Sequence, residues 1–400
     1  MNDSTLGSRL REVRRERGLT QEELADAAGV SSDLIGKLEQ GRRTSARITS
    51  LTYIANALDI GLSELLGKRE RLDRRDDGGV LAVRDTLLAV GDLPGIDPAD
   101  DDGEPTPASE LEAAVQRGWD LYWAGNLGEL ASRLPGLIGE ARITEQAAVT
   151  GEHRSAAAAV LAQAYQLAAD LMVHVGNDDL AAISAERGLA AAARGSDELQ
   201  HATIAGTAAW VMMHQARPAA AEQVAATAAG QVEPVLSNAA PEHLTVWGGL
   251  LLWAAAAAAA GSRPDETAEY IGVARAAATR FGADRHDYQT NFGPTQVEMQ
   301  ACHTSAVLGQ PGSALRAARA VRRSDLRRIS WGAHQLDVAQ ACLDSRRILQ
   351  AVDALTEARD VSAEWFRHQG MARAMVGDVV EQQRRLTPRV RSLAATVGIK

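Results

Sequence analysis

Apolar residues recur at helical spacing along almost the whole chain. From about residue 108 the three- and four-residue intervals continue nearly to the end, and no convincing run of alternating β-branched residues interrupts them. Longer helical segments alternate there with shorter ones, and short breaks separate the two. The breaks lie at Gly125-Asn126, Gly176-Asn177, Arg217-Pro218, Gly261-Ser262, Gly309-Gln310 and near Asp344-Ser345. The pattern predicts an all-α protein.

The alternation of helices also repeats. A pair of helices recurs about every 36–50 residues, which is typical of stacked helical hairpins. One such hairpin does not bury its own apolar stripe, whereas several stacked hairpins form a continuous core. The abundant alanines favour helix and let neighbouring helices approach closely. We therefore predict an α-solenoid for residues 108–400. The alternative is one large helical bundle without solenoid curvature.

Short helices with clear end signals fill residues 5–67. Thr20 and Glu23 form a T-x-x-E capping box before the second helix, Gly29 supplies a tight turn, and Ser31 caps the third. The five predicted helices cover residues 6–17, 21–28, 32–40, 48–58 and a short stretch behind Ser63. These helices predict a separate small domain at the N-terminus, which we assign to residues 5–70.

One string in this domain carries several motifs in register: GLTQEELADAAGVSSDLIGKLEQGRR contains T-Q-x-x-L-A, a Gly-Val-Ser turn and I-x-x-L-E-x-G. On these motifs the segment resembles the lambda-repressor-like helix-turn-helix domain, often called the XRE family. The resemblance covers roughly residues 5–67. It implies a five-helix domain that binds double-stranded DNA and places its third helix in the major groove. It also implies a fold-holding ion pair between Arg14 and Glu39.

The resemblance also implies a set of DNA-contacting residues. Gln21, Arg42 and Arg43 would hold phosphates, which position a protein without reading sequence. Base edges would be met at the start of the third helix, and Lys37 would reach a guanine or a phosphate. The residues at that helix start are Ser31, Ser32 and Asp33. The alternatives are helix capping by the serines and an i,i+4 pair between Asp33 and Lys37.

Two features of the third helix indicate modest DNA affinity for a single domain. Asp33 is acidic where DNA is negative, and Gly36 removes one side chain that could read bases. Two copies of the domain on adjacent half-sites would compensate for the modest affinity of one copy. We therefore expect a homodimer on a palindromic operator.

Charge and composition limit the classes of protein and of site that the rest of the chain can form. The chain of 400 residues has a net charge of −10, so DNA contact is expected only at the N-terminal domain. Residues 71–107 are assigned as an acidic linker that can include a short helix at 86–90. The two cysteines, Cys302 and Cys342, make neither a disulfide framework nor a zinc cluster. No secretory signal or membrane-length apolar run is evident, and a cytoplasmic protein without a membrane partner is expected.

All seven tryptophans lie beyond residue 108, mostly in the first helix of a predicted hairpin. In helical-hairpin solenoids such helices line the concave face. Aromatic walls with a few polar groups suit a ligand groove, although tryptophan that only fills gaps between alanine-rich helices is the alternative. The predicted ligand-binding residues are Trp119, Trp123, Tyr165, Gln166, Trp210, His214, Trp247, Phe292, Gln296, Met299, His303 and Trp331.

The C-terminal half resembles the tetratricopeptide-like (TPR-like) sensor domain found behind such DNA-binding domains in bacterial regulators. Its most distinctive segment is TNFGPTQVEMQACHTSAVLGQPGSALRAAR, in which Phe292 and Gly293 form a predicted turn and Pro294 begins a helix. The preceding stretch, 285–291, breaks the hairpin rhythm. Irregular inserts of this kind often serve binding, and an ordinary long connection is the alternative.

A group of arginines is predicted to share one helical stripe. The stripe contains Arg316, Arg319, Arg323 and Arg327, with Arg322 and Arg328 nearby. A solvated face is the plainer interpretation, and a contact with DNA or a partner subunit is the alternative.

Catalytic motifs are missing from the sequence. There is no H-E-x-x-H, no phosphate-binding G-x-x-x-x-G-K-[ST] and no G-x-S-x-G, so neither an enzyme nor a cofactor is expected. The sequence therefore predicts a DNA-binding transcriptional regulator whose repeat domain dimerises and senses a small molecule or peptide. A protein-interaction scaffold with a DNA-tethering head is the alternative.

Overall fold

The computed structural model describes residues 5–43, 46, 48–58, 60, 65, 78–89, 105–383 and 385–399. These residues form twenty α-helices and two short 3-10 turns, and their β-structure is limited to one isolated bridge between Arg285 and Phe292. The predicted all-α fold is confirmed.

Four described helices build the N-terminal domain, which we call the head. They are α1 (Leu6–Glu16), α2 (Gln21–Ala28), α3 (Ser32–Glu39) and α4 (Ile48–Ala57). The predicted end signals are present: Thr20 and Glu23 form the capping box, Gly29 turns at φ 61°, and the Ser31 hydroxyl caps α3. Of the predicted fifth helix only Leu65 lies within the described residues, and it is helical and buried.

The predicted linker contains a longer helix than expected. Helix α5 spans Gly78–Leu87, whereas the sequence indicated a short helix at 86–90. Its Val83 and Leu87 are fully buried in the C-terminal core, and Arg142 donates a hydrogen bond to the Thr86 carbonyl (2.8 Å). This segment therefore belongs to the packing of the C-terminal domain. Residues 71–77 and 90–104 of the predicted linker lie outside the described residues.

Six helical hairpins form the body of the C-terminal domain, and the six predicted breaks all fall between paired helices. The pairs are α6 (Ala108–Ala124) with α7 (Leu127–Ala147), α8 (Gly151–His174) with α9 (Asp178–Ala192), α10 (Glu198–His214) with α11 (Pro218–Gln231), α12 (Pro241–Ala260) with α13 (Pro264–Ala278), α14 (Pro294–Val307) with α15 (Pro311–Ala318), and α16 (Arg328–Asp344) with α17 (Ile348–Val361). Three more helices follow, α18 (Ala363–His368), α19 (Gly370–Glu381) and α20 (Pro388–Thr396).

The turn between the two helices of each hairpin repeats one backbone geometry. One residue per turn has a left-handed φ of 57–79°, and the next residue's N–H bonds the carbonyl five residues earlier at 2.8–3.0 Å. The left-handed residues are Gly125, Gly176, Ala216, Ser262, Gly309 and Arg346. This is the Schellman ending of a helix, which satisfies its last carbonyls. The repetition identifies the hairpins as copies of one structural unit.

The hairpins are arranged as a closed ring. The first helix of each hairpin packs against the first helix of the next, and α16 of the sixth hairpin returns to α6 of the first. At this closure the Ser362 hydroxyl donates to the Gly125 carbonyl (2.8 Å), and the Gly128 N–H donates to Glu364 Oε1 (2.6 Å). The predicted solenoid is therefore present, and its two ends meet. The six first helices, which we call the inner helices, surround a central space.

Two inner helices are long and apolar enough to cross a membrane by length and composition. They are α8 and α12, and in each case 83% of the apolar window is buried inside the protein. Burial on this scale is that of core helices. Apolar residues on every side are expected for a helix enclosed by neighbours.

Candidate nucleic-acid interface and central cavity

The start of helix α3 is exposed. Ser32 and Asp33 both face solvent, and the Ser31 hydroxyl accepts the Leu34 N–H at 3.2 Å. Lys37 Nζ lies 2.6 Å from Asp33 Oδ2, and both side chains are at least half exposed. Capping by Ser31 and the Asp33–Lys37 pair are thus both present. Neither buries the face of α3 that would meet DNA.

A charged network beneath α3 holds the head together. Arg14 on α1 donates to both carboxylate oxygens of Glu39 (2.5 and 2.8 Å), and its third nitrogen donates to the Leu19 carbonyl (2.6 Å). Gln21 Nε2 donates to the same carboxylate at 2.7 Å. Although burial raises the pKa of Glu39, the hydrogen bonds from Arg14 and Gln21 lower it below 4.5 overall. The network fixes α1, α2 and α3 relative to one another.

Close packing of α1 against α3 adds a steric constraint. A Cβ on Gly7 would lie 2.0 Å from the Leu38 carbonyl oxygen, so only glycine permits this approach. No motif in the sequence marks Gly7, because a glycine inside a helix pattern gives no sign of what it touches.

Five of the seven predicted DNA-contacting residues share one depression on the head surface. They are Gln21, Ser32, Asp33, Lys37 and Arg42. Arg43 is exposed just beyond it, and its N–H donates to the Lys37 carbonyl at 3.0 Å. Ser31 faces solvent as the cap of α3. Gln21 differs from the others because its amide already serves Glu39. The amide nitrogen carries two hydrogens, so the bond to Glu39 leaves a second one to donate to a phosphate.

A short exposed helix, set against a capped second helix by a Gly-Val-Ser turn, defines a DNA-binding protein of the helix-turn-helix class. The comparisons with known proteins agree. The family model described as a helix-turn-helix domain matches residues 5–66. The HTH-type transcriptional regulator y4dJ of Sinorhizobium fredii, itself uncharacterized, is 43% identical over 61 residues, which are 15% of this chain and 78% of that protein. The chain therefore belongs to the XRE-type helix-turn-helix family of DNA-binding transcriptional regulators.

Two further relatives carry the name HTH-type transcriptional regulator SinR. The protein of Bacillus licheniformis is 28% identical over 68 residues, 17% of this chain and 61% of the relative. The protein of Bacillus subtilis is 28% identical over 87 residues, 21% of this chain and 78% of the relative. This chain thus spans somewhat under two thirds of one SinR and over three quarters of the other. The similarity covers about a fifth of this chain or less.

One solved structure extends over most of the chain. It is the crystal structure of Bacillus thuringiensis PlcR in complex with the peptide PapR7 and DNA, with 12% identity, a TM-score of 0.35, and coverage of 90% of this chain and 94% of that one. A likeness at this level supports no conclusion about the present protein.

The inner helices enclose a cavity of about 240 Å³. All six contribute side chains to its wall, together with residues of the loop before α14 and Trp365 of α18. Because every hairpin supplies part of the wall, the cavity exists only where the ring is closed.

Aromatic rings follow one another along the cavity wall. Tyr122 and Trp123 pack edge-to-face at 4.9 Å, and His174 lies 5.4 Å from Tyr122 and 5.5 Å from Trp210. Trp210 in turn stacks on Trp253 at 6.0 Å. These distances join α6, α8, α10 and α12 into one aromatic band. The band provides flat apolar surface for a ligand.

The loop before α14 enters the same cavity and closes one side of it. Tyr288 and Gln289 both have left-handed φ values, 52° and 59°, which non-glycine residues rarely adopt. Gln289 Oε1 accepts hydrogen bonds from Trp123 Nε1 (3.0 Å) and Arg327 Nη1 (3.2 Å), and Tyr288 donates to Asp197 (2.8 Å). The irregular stretch at 285–291 therefore joins the first and sixth hairpins across the closure.

The structure divides the predicted ligand-binding residues into two groups. Those on the cavity wall are Trp123, Gln166, Trp210, Gln296 and Met299. The others lie off the wall: Trp119, Tyr165, Trp247, Phe292, His214, His303 and Trp331. Of these, Trp119, Tyr165, Trp247 and Phe292 are core residues, at most 5% exposed. The alternative of gap-filling aromatic residues thus describes Trp119 and Trp247.

The residues off the wall have structural partners. The Phe292 ring fills the space above Gly248, Arg142 donates to the Tyr165 hydroxyl (2.7 Å), and His303 pairs with Asp337 (2.9 Å). His214 packs edge-on against Trp210, and Trp331 stacks with His334 and Arg323. Their aromatic and polar character serves packing.

Sequence reasoning left several wall residues out of the predicted set. They are Tyr122, Asp170, His174, Thr203, Thr207, Trp253, Gln289, Gln300, Ser330 and Trp365. Four of them, Tyr122, Asp170, Thr207 and Gln300, lie one helical turn from a predicted residue on the same inner helix. Helical spacing from the predicted residues would have indicated these four, whereas the other six have no predicted residue one turn away.

The predicted arginine stripe does not exist as one helical face. Helix α15 ends at Ala318, and a 3-10 turn at Arg323–Asp325 separates it from α16. Arg327 is not part of an arginine surface, because its guanidinium lies over the Trp123 ring at 4.6 Å. Burial lowers the pKa of Arg327 from its usual value. The remaining arginines lie on separate elements.

Proposed function

We propose that the protein is a cytoplasmic, non-enzymatic regulator that binds a palindromic operator as a homodimer, and that a small-molecule effector occupies the cavity of its ring. The observation that carries the proposal is the combination of two surfaces in one chain. The head presents an exposed α3, and the ring encloses a space walled by aromatic and polar side chains. No cofactor and no membrane partner enters the proposal.

Operator recognition is supported by the exposure of α3 and its flanks. Ser32 and Asp33 are exposed and would meet base edges in a major groove, and the exposed Lys37, Arg42 and Arg43 would contact phosphates. Two heads on adjacent half-sites would double these contacts, which supports the homodimer.

The size and placement of the cavity support a small molecule. A volume of about 240 Å³ is below the roughly 300–1,000 Å³ of sites for drug-sized ligands, and well below the needs of an extended peptide. Ring closure also argues against the alternative of a protein-interaction scaffold. The aromatic side chains face the inside of the ring, where a protein partner would not reach them. An effector would act through its different affinities for two arrangements of the dimer.

A mobility-shift titration on the DNA upstream of the protein's own gene tests operator binding. Arg43→Ala is expected to weaken binding about tenfold at low salt and to reduce the salt slope by about one per protomer, since one phosphate contact is lost. Arg133→Ala on α7 is the matched control, because Arg133 is an exposed arginine of the ring that is paired with Glu129. Binding that ignores both sequence and salt would refute the proposal.

A further inference from the structure

The cavity wall has one acidic group among the described residues that line it, Asp170 on inner helix α8. The side chain is nine-tenths buried. The Thr207 hydroxyl donates a hydrogen bond to the Asp170 carboxyl, and Gln166 Nε2 donates to the same Thr207 oxygen at 3.2 Å. Asp170 Oδ1 has no hydrogen-bond partner within the described part of the chain. A buried carboxyl oxygen without a partner is costly, so the position calls for a group that is absent from the protein itself.

The surroundings of Asp170 supply no counter-charge. On its own helix it faces Gln166 and His174, and His174 is engaged with Tyr122 (3.2 Å) and Gln369 (3.4 Å). From the neighbouring helices it faces Tyr122 on α6 and Thr207 on α10. No lysine or arginine is among the described residues that line the cavity. Arg327 stays outside it, held by Trp123 and Gln289.

The wall around the carboxyl group is aromatic. Tyr122, Trp123, Trp210, Trp253 and Trp365 all line the same space. The faces of such rings attract positive charge, and the attraction is larger where water is excluded. A carboxylate combined with several aromatic faces is a recognition site for a cationic nitrogen.

Two hydrogen-bond donors complete the site. Gln296 and Trp365 line the cavity, and the side-chain nitrogens of both, Nε2 and Nε1, are buried without a partner in the described residues. They would satisfy an oxygen acceptor on the same ligand.

We propose that the central cavity binds a small organic cation, an amine whose positive nitrogen pairs with Asp170 and whose apolar body lies against the tryptophan walls. Such a cation would be the effector of the function proposed above, on which this assignment rests. Burial raises the pKa of Asp170 to about 8 in the unoccupied cavity, so the carboxyl group is mostly protonated near pH 7. Binding of the cation therefore releases a proton.

The experiment uses the full chain and calorimetry, with tryptophan fluorescence as the second readout. The probes are 2-phenylethylamine, the neutral 2-phenylethanol, the anion 3-phenylpropanoate and benzyltrimethylammonium, whose charge does not change with pH. We expect the amine to bind at least about tenfold more tightly than the alcohol, and the anion more weakly than either. At pH 7 close to one proton leaves per cation bound, seen as a dependence of the heat on buffer ionisation.

The pH dependence has a defined sign. The affinity for benzyltrimethylammonium rises as pH increases towards 8, because the ionised carboxylate binds the cation, and it levels off above that pH. Asp170→Asn removes this dependence and weakens cation binding by about 10- to 100-fold, while binding of the alcohol stays within about twofold. Asp353→Asn on α17 is the matched control, since Asp353 is exposed and lies off the cavity wall.

Three results would overturn the proposal. They are equal affinity for amine and alcohol, unchanged cation affinity in Asp170→Asn, and no binding of either cation below about 1 mM. Asparagine keeps the shape of the side chain without its charge, and a retained circular dichroism spectrum and melting temperature will show that the variant is folded. These measurements contain no DNA. A failure here leaves operator binding intact, and a failure of operator binding leaves these affinities unchanged.

Discussion

The head and the ring are both helical, yet they are stabilised in different ways. In the head, one carboxylate holds three helices: Glu39 receives Arg14 from α1 and Gln21 from α2. In the ring, the same turn occurs six times and alanine-rich helices pack around a shared centre. The head therefore adds one concentrated polar network to its apolar core, whereas the ring repeats the same small contacts around its circumference. Single substitutions should therefore affect the stability of the head and the stability of the ring differently.

The largest effect is expected from Glu39→Ala. The change leaves Arg14 buried without its partner, and breaking such a pair costs about 3 kcal/mol. Hydrogen exchange of α1–α3 should accelerate about 100-fold, while exchange in the ring stays unchanged. Asp33→Ala is the control, because the exposed Asp33–Lys37 pair contributes at most about 0.5 kcal/mol. Equal effects of the two variants would contradict the assignment.

The same pair gives the head a pH dependence. The pKa of Glu39 is lowered in the folded head, so its contribution is complete above the unfolded value near 4.5 and is lost as pH falls through the folded value. The protection factors of α1–α3, which are corrected for the intrinsic exchange rate at each pH, should therefore fall below about pH 4.5 in the wild-type protein and much less so in Glu39→Ala.

An intermediate effect is expected inside the ring from Gly248→Ala. A Cβ at this position would lie 2.2–2.4 Å from the buried Phe292 ring, and overpacking of this kind costs about 2 kcal/mol. The measurement is urea unfolding followed by tryptophan fluorescence. Gly272→Ala on α13 is the control: its Cβ would meet nothing within 4 Å, so the better helix former should stabilise the ring by up to about 1 kcal/mol. If both variants unfold alike, the Phe292 packing is not as described.

The smallest effect is expected at the repeated turns. Arg346 has φ 58°, where a side chain is strained, so Arg346→Gly should stabilise the ring by about 0.5 kcal/mol after the glycine's extra unfolded-state entropy is included. Gly309→Ala, at the equivalent position of the fifth hairpin, should destabilise it by about 1 kcal/mol. Shifts of the same sign would show that the two turns are not equivalent.

Much of the architecture could be predicted from local signals. Thr20, Glu23 and Gly29 act on their own helix ends, and glycine or proline marks most of the turns between paired helices. Such signals act over a few residues and are legible in a sequence. The predicted arginine stripe was wrong because it assumed continuous helical spacing through residues that form a turn.

Ring closure and the cavity wall could be predicted only in part. Whether α16 meets α6 depends on small rotations accumulated over six hairpins, and no single residue encodes their sum. Trp119 and Trp123 lie one turn apart on α6, and the first is buried in the core while the second lines the cavity. That difference depends on which neighbours surround the helix, which is a long-range property of the fold.

The meeting of α16 with α6 has a mechanical consequence. An open stack of repeats can respond to expansion of its inner face by separating its two ends. A closed ring has no free ends, so a change in its circumference is shared among all six hairpins. The first hairpin is one of those members, and α5 rests on its second helix. Helix α5 is also the first described segment of the ring that follows the head in the sequence. Under the proposed function, a bound solute that altered the circumference would therefore shift α5 together with the six hairpins.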